Sequence, residues 1–360
     1  LNYDQTKERI AKWLARGQAV FQPSIEHAKA LQKLSIEPEN LAAFIATLRE
    51  CKELDEAEKA AQRILDDVDS DNNNPYLLAQ IALTLAEKSY DNAIDASSKA
   101  IDLSKWLKLT EQPIFFAVAA EVAGKNNNLQ LQKEFLRNAL IIWENEPIWL
   151  SKIADLHLQS NQNEEIEDSI QYLEKAIHLE PKNLDHYLKL GEVHQHLGNP
   201  KGKIIVLDQA TRIFPQKTEP WMALAKAHYD NGEIPQAIRC ANSTLQINPQ
   251  FDEALLLLAE TSLEVNNPKK AAQYIEDILR NNPRNQEALI MSTKVYSILN
   301  KPEKALESIE KVLPDLSDSI PLQLKRAQLI EETKGSKDAL EMLLDLNAMN
   351  PRTPQLLAAI

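Results

Sequence analysis

Pro181, Pro215, Pro249 and Pro283 stand 34 residues apart, and no ordinary globular core imposes such a spacing on proline. A fixed period of this length is the mark of a chain built from stacked copies of one supersecondary unit. Counted from the third residue after each proline, units begin at Leu184, Thr218, Asp252 and Gln286, and Ile320 opens a fifth in the same register.

Two places in each unit ask for a small side chain. The eighth residue reads Gly191, Ala225, Ala259, Thr293 and Ala327, and twelve residues later the chain reads Lys203, Ala237, Ala271, Ala305 and Ala339. Small residues there let two helices approach closely, with Thr293 and Lys203 as the exceptions. Pro200, Pro235, Pro268 and Pro302 fall between the two helices, where proline starts a helix without removing a needed hydrogen bond. Gly198, Gly232 and Gly335 fall at the same turns. A lone pair of such helices buries too little apolar surface to offset the entropy of ordering its backbone, so each unit depends on its neighbours.

From Leu184 the chain reads Tyr187, Leu190, Gly191, His194, Leu207, Ala210 and Pro215; from Thr218 it reads Trp221, Leu224, Ala225, His228, Ala237, Ala241, Thr244 and Pro249. This pattern resembles the tetratricopeptide repeat, a helix-turn-helix unit of the same length. The Ile320 unit departs from it, with Arg326 for the expected Leu and Ser317 for the preceding proline. The resemblance implies an all-α fold, an α-solenoid of stacked antiparallel helix pairs wound into a superhelix.

Weaker copies extend the pattern towards the start of the chain, giving a single array over 1–360. The expected pairs cover about 5–38, 39–70, 74–106, 112–146, 147–183, 184–217, 218–251, 252–285, 286–319 and 320–353, with a partial one at 354–360. In the pair over 147–183 the turn from Gln159 to Glu165 is expected to be about three residues longer than in its neighbours. The polar run from Asp66 to Asn74 reads as a solvated loop, since it lacks the glycine and terminal Glu of a calcium loop. The chain begins at Leu1 and closes on a segment that reads as the opening of another helix, so it is expected to be part of something longer.

Composition narrows the function. A formal charge of −13 disfavours nucleic acid, whose phosphates require clustered Lys and Arg. No run approaches the ~20 apolar residues of a membrane span. Cys51 and Cys240 are too far apart in a stack to pair, and free thiols fit a reducing compartment such as the cytoplasm. There is no Walker loop, no dinucleotide-binding glycine fingerprint, no His-Glu-x-x-His and no Cys-x-x-Cys, so no catalysis, cofactor or metal is expected. His157, His194 and His228 recur at one place in successive units, but neighbouring helices lie ~10 Å apart, too far to share a metal. Packed or capped histidines are the expectation.

In the family that the chain resembles, certain positions of each first helix face a concave groove that binds polypeptide segments. The fifth holds Leu188, Met222, Leu256, Ile290 and Leu324, and the ninth holds Glu192, Lys226, Glu260 and Lys294; Tyr229 and Leu263 stand at the twelfth. The apolar column is either a ligand site or packing between neighbouring first helices. The alternating charges are expected to meet across neighbouring helices, and the acids at the second position, Asp185, Glu219, Glu253 and Glu287, favour the helix dipole. The carboxylate clamp of some family members is absent: Leu188, Glu192, Ala223, Glu253 and Leu257 occupy its places in one frame. The resemblance therefore implies a non-catalytic protein-interaction scaffold. The alternative is the regulatory or substrate-selecting arm of a larger enzyme or of an envelope or secretion assembly. Self-association through Leu356 and Leu357 is a further expectation.

Overall fold

A computed structural model describes residues 38–66, 74–159, 162–314, 316, 319–349 and 354–359. The expected first pair lies outside the described residues but for Pro38, as does most of the run from Asp66 to Asn74. Every described element is an α-helix, and among the described residues there is no strand. The chain divides into two compact units, one ending at Leu197 and the other beginning at Gly198.

The first unit contains α1 (Pro38–Glu50), α2 (Leu54–Asp66), α3 (Pro75–Leu85), α4 (Tyr90–Trp106), α5 (Gln112–Lys125), α6 (Leu129–Ile142), α7 (Pro147–Leu158), α8 (Asn163–Leu179) and α9 (Leu184–His196). Each helix packs on the next, and α1 also packs on α3, α3 on α5 and α7 on α9. That is the contact pattern of stacked hairpins. The core is a continuous apolar layer including Ile45, Leu77, Ile81, Phe115, Leu136 and Ile153, with Tyr76 set edge-on against Phe115 at 5.2 Å between ring centres. The helix α8 is 17 residues long against 14 in regular second helices, so most of the extra length expected in the 159–165 turn lies in α8. A helix absorbs added residues without leaving backbone groups unpaired, which a loop does not.

The second unit contains α10 (Pro200–Ile213), α11 (Thr218–Asp230), α12 (Ile234–Ile247), α13 (Asp252–Glu264), α14 (Pro268–Asn281), α15 (Gln286–Ile298), α16 (Pro302–Val312), α17 (Ile320–Lys334), α18 (Ser336–Met349) and α19 (Pro354–Ala359). Consecutive helices pack again, and α11 lies on α13 and α13 on α15. The small positions behave as the period demands: Ala225, Ala259, Ala237, Ala271 and Ala305 are wholly buried. The exceptions are accommodated. Thr293 returns its hydroxyl to the Leu289 carbonyl (3.0 Å), and Lys203 carries its ammonium outward to within 3.4 Å of Asp230.

The turns are as regular as the helices. Gly198, Gly232, Asn266 and Asn300, again 34 residues apart, all adopt positive φ between 56° and 76°. In the Gly232 turn the next amide, that of Glu233, donates back to His228 (2.8 Å); those of Asn267 and Lys301 do the same to Ser262 and Tyr296. This closes each first helix by the left-handed cap that only glycine and asparagine adopt at low cost. Asparagines also start helices: the Asn74, Asn199, Asn267 and Asn285 side chains accept amides of the first turn.

In the second unit the period is broken at α16. The helix α16 has 11 residues where α10, α12 and α14 have 14, because Pro314 follows it and cannot continue a helix. Beyond this point Leu356 of α19 is fully buried against Ala327 and Leu343. The expectation of an exposed Leu356 is therefore corrected: it fills the step between α17 and α18. The side chain of Leu357 lies outside the described residues.

Candidate functional site: the face of α11, α13 and α15

The three first helices are each 13 residues long and start at equivalent points of the repeat, so equivalent side chains form rows across them. Lys226 on α11 reaches Glu253 on α13, 2.7 Å from Nζ to Oε1, with both side chains about half exposed at 49% and 50%. Thus the ninth residue of one unit meets the second of the next. The expected pairing within the ninth row takes a looser form. Glu260 lies in the fields of Lys294 and Lys226 yet makes no hydrogen bond or ion pair among the described residues.

Partial burial raises the Glu260 carboxyl above its ordinary range; Lys294 opposes the rise, and Glu287 and Glu264 add to it. Tyr229 on α11 stands in the same group. Burial lifts its phenol, and the carboxylates of Glu260, Glu264 and Asp230 lift it further. Residues from three consecutive units are therefore within electrostatic reach of one another. Glu264 is a member that the sequence reading missed, although it lies four residues after Glu260 on the same helical stripe.

The apolar row is not uniform. Met222 is 3% exposed and Leu256 9%, with Leu263 and Met291 half-buried against the core that Leu256 joins. Ile290 is 40% exposed. Leu324 packs half-buried beside Ala327, Leu343 and Leu356, while Leu188 (half-buried) and Glu192 (exposed) belong to α9 of the first unit. Ile298, eight residues after Ile290 on α15, is 52% exposed and was not singled out by the sequence.

The recurring histidines take three different roles. His157 is fully buried, edge-on to Tyr172, and accepts a hydrogen bond at Nε2 from the Arg137 guanidinium (3.2 Å). Burial holds its pKa low; Arg137 and Lys133 act in the same sense against Glu165. Burial likewise lowers His194. His228 pairs through Nδ1 with Glu233 (2.7 Å) across the turn after α11. Cys51 and Cys240 are free, and burial pushes the Cys240 thiol up to about 11, which makes it a poor nucleophile.

The repeat geometry is matched by a tetratricopeptide repeat family model over residues 222–290, from Met222 on α11 to Ile290 on α15. Residues 222–290 are tetratricopeptide repeats. A solved structure, the C-terminal part of a tetratricopeptide repeat-containing protein from Cytophaga hutchinsonii, is similar over 69% of this chain and 98% of its own, with 15% identity and a TM-score of 0.57. The type IV pilus biogenesis factor PilW is similar over 59% of this chain and 96% of its own, at 15% identity and a TM-score of 0.47. YrrB, described as a tetratricopeptide protein with an unusual peptide-binding site, is similar over 54% and 97%, at 20% identity and a TM-score of 0.42. No curated protein matches the chain. At these identities the likeness is one of fold. Among the described residues, no helix is long and apolar enough to cross a membrane.

Proposed function

We propose that the chain is a non-catalytic interaction scaffold and that a polypeptide segment binds across α11, α13 and α15. One observation carries the reading: Ile290 is left 40% exposed one helical turn from Lys294, which acts on Glu260, while its counterparts Met222 and Leu256 are buried. A large aliphatic side chain held open on a rigid helix, with charges around it, suits a partner that supplies the missing apolar cover. The packed Met222 and Leu256 hold the helices in register beneath it.

Selection from a random peptide display library against the whole chain tests this, with Ile290→Asp as the counter-screen. Because Ile290 is exposed, the variant should keep the parental helicity and urea midpoint while losing the selected peptides. Peptides that bind the parent and Ile290→Asp equally well would overturn the proposal. Acidic substitution at Met222 or Leu256 is not a usable test, since a carboxylate there would be buried without a partner.

A further inference from the structure

Resting on that reading of the face, we infer that its partner is a segment carrying lysine or arginine beside apolar side chains. Along α15, Ile290, Lys294 and Ile298 are spaced by four and form one stripe whose two isoleucines are 40% and 52% exposed. The stripe is thus an apolar step open to solvent.

The charges around the step set the chemistry of what covers it. Glu264, Glu287, Lys226 and Lys294 lie within electrostatic reach of Glu260, and Lys226 is already engaged by Glu253 at 2.7 Å. Four carboxylates against two ammonium groups leave the face acidic. Glu260 is half-buried with no ion pair among the described residues, and burial keeps its carboxyl raised. A cation brought beside such a group gains more than it would at an exposed carboxylate, because less water screens the pair. The net charge of −13 acts in the same direction at long range, drawing basic segments and repelling both acidic ones and a second copy of this chain.

The test uses the whole chain and three short fluorescein-labelled synthetic peptides of equal length: one of Leu and Lys, one of Leu and Glu, and one of Ser and Lys. Fluorescence anisotropy at physiological salt should give binding of the Leu/Lys peptide at least about ten-fold tighter than of either other peptide. Ile290→Asp and Glu260→Lys should each weaken it about ten-fold, whereas Asp102→Lys, an equal charge change on α4, should leave it unaltered. Equal weakening by Asp102→Lys overturns the inference, because net charge alone would then explain binding. So does a Ser/Lys peptide that binds as well as Leu/Lys.

If the Leu/Glu peptide binds best and Ile290→Asp abolishes it, the basic partner is wrong while the docking face stands. If display-selected peptides also ignore Ile290→Asp, both fall. Sedimentation analysis adds one arm: a parental dimer that Ile290→Asp makes monomeric would identify a second copy as the occupant and overturn the inference.

Discussion

The Tyr187 hydroxyl donates to the carbonyl of Pro181 at 3.1 Å. One period later the Trp221 indole Nε1 donates to the carbonyl of Pro215 at the same distance. An aromatic donor on α9 and another on α11 therefore tie down the prolines that precede them, and this fixes where each of these two helices starts. Tyr187 is buried and its bond to Pro181 is partly shielded from water. Tyr187→Phe should lower stability by about 1 kcal/mol, read as a lower urea midpoint. Trp221, more accessible, should show a smaller loss on substitution by Phe; an unchanged midpoint for Tyr187→Phe would show that the bond contributes nothing.

Gly232 has φ of +76° and no neighbouring atom within 4 Å of where a Cβ would lie. Gly232→Ala therefore meets only backbone strain, expected at roughly 1–2 kcal/mol. Asn266→Gly, at the equivalent turn with φ of +56°, should cost nothing or stabilise slightly. Equilibrium denaturation of the two variants distinguishes strain from a general sensitivity of the turns.

The Lys226–Glu253 pair joins α11 to α13 at 2.7 Å, but both groups are half exposed. Screening by water limits such a pair to about 0–1 kcal/mol. A double-mutant cycle with Lys226→Met and Glu253→Gln should return a coupling energy within that range, shrinking as salt is added. A coupling several times larger would mean that the charges are an essential part of the stack.

His157 is buried with Nε2 accepting from Arg137 and Nδ1 without a hydrogen-bond partner. Burial lowers its pKa in the fold, so below the ordinary histidine value of ~6.5 the unfolded chain takes up a proton that the folded chain does not. Stability contributed by the neutral ring is complete above that value and is lost as the pH falls below it. Urea midpoints at pH ~7.5 and ~5.5 should differ more for the parent than for His157→Gln. Some slope should remain in the variant, since burial lowers His194 as well.

Much of the fold was legible because stacking imposes a period, and a period shows directly in spacing. The small residues Ala225, Ala237, Ala259 and Ala271 sit at helix crossings, and the turn glycine Gly232 takes the left-handed conformation that its place requires. Asparagine does the same at Asn266 and Asn300, a substitution that a search for glycine alone passes over. The face of α11, α13 and α15 was legible as a set of positions but not as a surface. One position of the repeat buries Met222 and Leu256 and exposes Ile290, a difference that spacing alone does not carry.

The early stop of α16 also bears on motion. In a linear stack, cooperativity passes from each pair to the next through shared interfaces, and a shortened helix is where it is weakest. The segment α17 to α19 should therefore open as its own block, with amides that exchange hydrogen sooner than those of α11 to α15. A partner seated on Ile290 and Ile298 would slow that exchange by bridging the fault from outside.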